Sequence, residues 1–292
     1  MADGTSSTTT PRTTRIRGAG VDLAADIYGD DGNPPVVLLH GGGQTRHAWG
    51  TAAQAFATNG RQAISLDLRG HGESDWSPDG VYGISTFAAD AKAVATGLDR
   101  LPTLVGASLG GLSSMVAVGD SDETIAAGLV LVDVTPRVEK AGADRIGGFM
   151  RAGRDGFDRL EDAADAISAY LPNRPRPKDL SGLRKNLRER DGRWYWHWDP
   201  RFLQARDGID GQEGIADHDR LAAAARRVTI PTLLVRGRAS DIVSDESVRE
   251  LVELIPHAEV VDVAGAGHMV AGDRNDAFND AVIEFVERIA AN

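Results

Sequence analysis

The sequence predicts a mostly parallel, doubly wound α/β sheet, and three observations carry that expectation. Short apolar runs alternate with helix-compatible stretches along nearly the whole chain. Several runs, Pro35 to Leu39 and Ala127 to Val134 among them, are apolar without alternation, as strands buried on both faces are. The 292 residues, 41% hydrophobic and 26% charged, suit one large domain carrying an insertion.

Taken in order, residues 1–12 are Ser/Thr-rich and read as a floppy tail. Arg15 to Arg17 and Val21 to Tyr28 read as an antiparallel hairpin joined at Gly18-Ala19-Gly20. Pro35 to Leu39 is the third strand and runs into His40-Gly41-Gly42-Gly43. His47 to Thr58 has helical character and stops at Asn59-Gly60. Ala63 to Leu68 is a strand, followed by the turn-rich loop Arg69-Gly70-His71-Gly72-Glu73-Ser74. Ser85 to Leu98 reads as a helix, with Ser85 as its N-cap candidate. Thr103-Leu104-Val105 is the fifth strand, Ala127 to Val134 the sixth, Ile230 to Val235 the seventh and Glu259 to Val263 the eighth. Helices fit at Ser244 to Leu254 and Asp276 to Ala290.

One interruption breaks the alternation. From Pro136 to about Arg227 no clear strand stands out, only helical stretches such as Phe157 to Ala169 and a proline-rich break at Pro172 to Pro177. An insertion there leaves from the carboxyl edge of the sheet, where such folds bind ligands. It reads as a helical cap over 136–227, set on a core of 13–135 and 228–292.

Composition narrows the chemistry. The net charge of −11 argues against nucleic acid as a partner, because phosphate binding needs a basic surface. No cysteine is present, which excludes disulfides, thiolate catalysis and Cys-ligated zinc. No apolar run approaches the roughly 20 residues of a membrane span, and the N-terminus shows no signal-peptide core. A cytoplasmic location with no membrane partner is the expectation. Nothing in the sequence decides for or against a homo-oligomer.

The chemistry centres on Val105-Gly106-Ala107-Ser108-Leu109-Gly110-Gly111, a G-x-S-x-G between a strand and a helix. Glycines stand two residues either side of Ser108, where a Cβ would strike the neighbouring strand or helix. A serine hydroxyl needs a base, and the base needs an orienting acid. His268, in the glycine-rich loop after the last strand, is the base candidate, with His71 second and better suited to structural hydrogen bonding. Asp241 is favoured as the acid, Asp133 at the end of the sixth strand is the alternative, and Asp245 fits a helix start better. The order Ser, Asp, His is the one expected on such a fold. Two backbone N–H groups must meet the oxyanion, and losing one typically costs about 3–4 kcal/mol. Leu109 and Gly42 are the candidates, with Gly43 beside them. His40, Arg69 and Glu73 read as braces for these loops.

Three of the five tryptophans, Trp194, Trp196 and Trp198, alternate with Tyr195 and His197. Packing within the cap explains them, and an aromatic wall for an apolar substrate is the functional reading. With Gly43 and Met269 they are the candidate substrate-binding residues. No metal or organic cofactor is required by these residues.

These motifs together resemble the α/β-hydrolase superfamily. The resemblance runs from about residue 15 to the C-terminus, on His40-Gly41-Gly42-Gly43, Asp67 to Ser74, Gly106 to Gly111, Ser240-Asp241-Ile242-Val243 and Gly267-His268. It implies an eight-stranded sheet with the cap between strands six and seven, a Ser108-Asp241-His268 triad, and an oxyanion hole from Gly42 and Leu109. Ser108 stands where epoxide hydrolases and haloalkane dehalogenases carry aspartate. Gly43-Gln44-Thr45-Arg46 replaces the Gly-Pro-Gly run of C–C bond hydrolases. Carboxylesterases and enol-lactonases fit without conflict. The expected activity is hydrolysis of an ester or lactone of a small, fairly apolar molecule. C–C cleavage of a vinylogous diketone, cofactor-free perhydrolysis, or a non-catalytic receptor on the same fold are the alternatives.

Overall fold

The computed structural model of the chain describes residues 10–170, 176, 179–206, 213–264 and 275–290. Its frame is an eight-stranded sheet in the order β1-β2-β4-β3-β5-β6-β9-β10. The strands are β1 (Arg12–Arg17), β2 (Asp22–Tyr28), β3 (Pro35–Leu39), β4 (Gln62–Leu66), β5 (Thr103–Ala107), β6 (Gly128–Val132), β9 (Thr232–Gly237) and β10 (Glu259–Val263). β1 pairs antiparallel with β2, β2 antiparallel with β4, and the other pairs are parallel. The mostly parallel sheet expected from the apolar runs is therefore present.

β3, β4 and β6 are buried along their whole length, which is why their sequences do not alternate. One face is covered by α1 (Gly50–Thr58) and the last helix, Asn275–Ala290, where Trp49 meets Phe278 with ring centroids 5.9 Å apart. The other face carries α2 (Ile84–Thr96), α3 (Leu109–Gly119), α7 (His218–Ala225) and α8 (Asp245–Leu254). Each fully buried Leu, Ile or Val adds about 1.5–3 kcal/mol, so the two apolar layers hold the strand ends rigidly in place.

Between β6 and β9 the chain builds the cap: α4 (Lys140–Ala152), α5 (Leu160–Tyr170), a short 3-10 turn at Ser181–Lys185, β7 (Leu187–Arg190), β8 (Arg193–Trp196) and α6 (Phe202–Arg206). The antiparallel β7–β8 hairpin departs from the strandless insertion expected of this segment. Its two-residue turn, Asp191-Gly192, has φ of 52° and 75°, and Asp-Gly is a strong hairpin sequence. The polar β7, Leu-Arg-Glu-Arg, hid the strand because it has no apolar alternation. α7 also departs from the expected boundary. It packs on α3 closely enough that a Cβ on Gly119 would overlap the Ala224 carbonyl. The sheet-flanking layer thus resumes near residue 218, inside the segment read as cap. Two smaller differences concern α2 and α5. α2 is capped by Gly83, while the Ser85 hydroxyl meets Glu213 at 2.8 Å. Phe157 bridges to Trp194 before α5 begins.

Candidate active site

β5 ends in Ala107, Ser108 turns, and α3 begins at Leu109. Ser108 holds φ 48° and ψ −116°, a backbone conformation that costs a non-glycine residue about 1–3 kcal/mol and concentrates at functional sites. The flanking glycines make the turn sterically feasible. A Cβ on Gly106 would overlap the Gly110 backbone, and one on Gly110 would overlap the Leu39 carbonyl. The result is a half-buried hydroxyl raised at the positive end of α3.

The loop after β3 lies against this turn. A Cβ on Gly41 would sit 3.4 Å from Ser108 Cβ, and Gly110 N–H donates to the His40 carbonyl at 3.2 Å. Gly41 N–H donates to Gln44 Oε1 at 3.0 Å and Gly43 N–H to His71 Nε2 at 3.0 Å. By contrast, the N–H groups of Gly42 and Leu109 have no acceptor among the described residues.

Three buried histidines fix this loop, and their partners fix their protonation. Leu68 N–H donates to His40 Nε2 at 3.0 Å, so the His40 proton sits on Nδ1 and is given to the Gly41 carbonyl at 2.7 Å. By the same logic His71 accepts from Gly43 and donates Nδ1–H to the Arg69 carbonyl at 3.0 Å. His197, from the cap, accepts from Gly72 N–H at 2.7 Å on Nδ1 and donates Nε2–H to the Gly43 carbonyl at 3.3 Å. Burial holds all three neutral: it lowers the pKa of His40, lowers that of His197 well below 6.5, and with help from His40 takes His71 down to about 3. His40 and His71 thus brace the loops as their sequence context suggested. The role of His197 was not legible, because the sequence does not show which way the cap folds back.

The two candidate acids occupy different settings. Asp133 follows β6, next in register to the serine turn, since Ala107 pairs with Val132. It is fully buried, has φ 48°, and accepts from Gly237 N–H at 3.0 Å and Ser240 Oγ at 2.6 Å. Asp241 instead pairs with Arg145 of α4 at 2.8 Å, with its side chain 39% exposed. Asp241 thus ties a cap helix to the core, while Asp133 is the inward carboxylate. His268 and Met269 lie outside the described residues. β10 ends at Val263 opposite Gly237, whose N–H Asp133 holds.

A cavity of about 690 Å³ opens over Ser108. Gly42, Gly43, Ser108 and Leu109 line its floor, and Trp196 and Trp198, stacked at 5.0 Å, belong to its wall. Trp194 and Asp241 are not among the lining residues; Trp194 sits under Arg184, 4.8 Å from its guanidinium. Phe149 and Met150 of α4 and Phe202 of α6 complete an apolar wall that sequence reasoning did not single out. The amphipathic spacing of α4 was the available clue. Arg69 and Glu73 act as braces, on Asp90 at 2.6 Å and Arg46 at 2.6 Å respectively.

A family model described as the alpha/beta hydrolase fold matches residues 34–274. Esterase Rv0045c of Mycobacterium tuberculosis is 32% identical, over 85% of this chain and 81% of that protein. The 2-(acetamidomethylene)succinate hydrolase of Mesorhizobium japonicum is 27% identical over 91% of this chain and 100% of its own length. Among solved structures, an E-2-(acetamidomethylene)succinate hydrolase superposes with a TM-score of 0.80 at 23% identity, covering 95% of this chain and 99% of that one. No helix among the described residues is long and apolar enough to cross a membrane.

Proposed function

The chain belongs to the α/β-hydrolase fold family, and from that premise we propose that it is a serine hydrolase cleaving a carboxylic ester or lactone of a small, largely apolar molecule. The observation that carries this reading is Ser108, strained at the strand end, opening into an apolar cavity beside two backbone donors with no acceptor among the described residues. Ser108 Oγ attacks the carbonyl and gives its proton to His268. The developing oxyanion takes hydrogen bonds from Gly42 and Leu109 N–H. His268 then protonates the leaving alcohol, and water, activated by the same imidazole, releases the acid and restores Ser108.

Asp133 is the acid of this scheme, holding the outer His268 nitrogen. Its burial, its two fixed donors and its strained backbone support it over Asp241. A relative named as an esterase supports the ester class. The 2-(acetamidomethylene)succinate hydrolase relative indicates that other scissile bonds are accessible to related chains, and C–C cleavage is disfavoured by Gln44 and Thr45 after Gly43.

The test is turnover of p-nitrophenyl butyrate by wild type and Ser108→Ala. The alanine variant is expected to lose at least about 10⁴-fold in kcat. Full activity in that variant would exclude the mechanism.

A further inference from the structure

A second recess of about 270 Å³ adjoins the cavity above Ser108, and the two share the lining residues Thr45, His47 and Lys185. The chemistry changes across that join. Near Ser108 the wall is Phe149, Met150, Trp196, Trp198 and Phe202. In the recess it is Arg46, Arg184, Lys185, Arg188, His47 and Glu73. This is a local concentration of cations on a chain whose net charge is −11.

Not all of these charges are available. Arg46 is buried and taken up by Asp26 at 3.1 Å, Asp67, and Glu73 at 2.6 Å, three carboxylates around one guanidinium, and Glu73 is the one carboxylate that lines the recess. Burial and Arg46 hold the His47 pKa below its ordinary value, so that ring adds no charge at neutral pH. Arg184, Lys185 and Arg188 are different. None has a carboxylate partner among the described residues. Arg188 uses its Nη atoms on the Leu187 and Gly72 carbonyls, Arg184 lies over Trp194, and Lys185 stands exposed at the join. With Arg46 and its three carboxylates counted, Arg184, Lys185 and Arg188 still leave the recess net positive by about one charge among the described residues, on a chain whose net charge is −11.

We propose that the recess formed by Arg184, Lys185 and Arg188 is a subsite for an anionic group of the substrate, a carboxylate or a phosphate, joined to the scissile carbonyl by an apolar body. This deepens the ester-hydrolase reading and rests on it for the position of the carbonyl. The apolar body lies along the Trp196–Trp198 wall, and the anion remains at the wet join, where it keeps part of its hydration. The two anion sources differ in reach and charge, and each has its own neutral partner compound.

The experiment compares kcat/KM for matched pairs. The mono-p-nitrophenyl ester of glutaric acid is set against its methyl ester for a carboxylate. The p-nitrophenyl ester of 6-phosphonooxyhexanoic acid is set against its dimethyl phosphate triester for a phosphate. At low salt the wild type is expected to prefer the anionic member of one pair, with the preference fading toward about 0.5 M salt. Lys185→Ala is expected to lower the anionic-to-neutral ratio about fivefold, the effect of one unit charge near contact in water. Lys185→Glu lowers it further, and Lys185→Arg restores it. Equal ratios in wild type and Lys185→Glu for both pairs overturn the subsite. Binding of glutarate and of 6-phosphonooxyhexanoate to Ser108→Ala, by calorimetry, reads the subsite without chemistry. Anion binding that Lys185→Glu weakens, in a protein that turns over no ester, would sink the hydrolase reading and leave the subsite. Ester turnover lost in Ser108→Ala, with no anion preference, would do the reverse.

Discussion

At the scale of single residues, Ser108 and Asp133 share an unusual property: both take φ 48° at neighbouring strand ends. Neither carries the glycine that such a backbone favours, so each side chain holds its place despite the strain. Ser108 was legible because its flanking glycines spell out the turn. Asp133 stood only as the alternative to Asp241, because both follow apolar strands and only the fold shows which carboxylate faces inward. The proposed acid role makes a sharp comparison. Asp133→Asn is expected to lower kcat on the order of 10³- to 10⁴-fold, by analogy with loss of a triad carboxylate. Asp241→Asn breaks a half-exposed ion pair and is expected to stay within a few-fold of wild type. Steady-state kinetics with thermal melts of both variants checks this, and the opposite ranking would return the role to Asp241.

At the scale of elements, the cap hairpin does more than roof the cavity. Through His197, β8 and its continuation reach Gly72 N–H and the Gly43 carbonyl, while His71 holds Gly43 N–H from the core side. Gly43, next to Gly42, is thereby held at both its N–H and its carbonyl. Replacing His197 with Ala is expected to leave KM little changed and to lower kcat about 10- to 100-fold, because a poorly placed oxyanion donor acts in the transition state. His197→Asn keeps an acceptor at the Nδ1 position and should recover part of the loss. A change confined to KM would show that His197 shapes only the binding wall. The hairpin itself was half legible: Asp191-Gly192 announces the turn, but polar β7 gives no strand periodicity. Trp196 and Trp198 were named from their spacing and do line the cavity, whereas the outward neighbour Trp194 shows that alternation alone does not assign the faces.

At the scale of the whole molecule, the α/β architecture was the most legible feature, because buried parallel strands must be apolar throughout and the chain repeats such runs. The cap was least legible, because its contacts are between side chains and distant backbone. That same wiring sets an acid limit. His71 has a folded pKa of about 3, while an unfolded histidine titrates near ~6.5. Between those values the unfolded chain binds the extra proton. Stability is therefore complete above about pH 6.5 and declines as pH falls toward 3, by about 1.4 kcal/mol per unit for this imidazole. His40 and His197, also lowered by burial, act in the same direction. Urea unfolding at stepped pH from about 7 to 5 should show this decline, with a shallower slope in His71→Gln; a flat profile would contradict it.

Beside side-chain pairs such as Arg145–Asp241 and Tyr82–Asp199, the cap grips main-chain atoms of the core. His197 takes Gly72 N–H and the Gly43 carbonyl, Arg188 the Gly72 carbonyl, Arg201 the Ser77 carbonyl, and Asp199 N–H the Gly70 carbonyl. Peptide groups are the same whatever residue bears them. The glycine anchors are themselves fixed, since Gly43, Gly70 and Gly72 hold φ of 78°, 72° and 55° and a Cβ on Gly72 would strike Asp67, but a roof of new sequence needs only a few matching donors and acceptors to be seated on them. A lineage built this way can retailor what it accepts while its reactive centre stays unaltered.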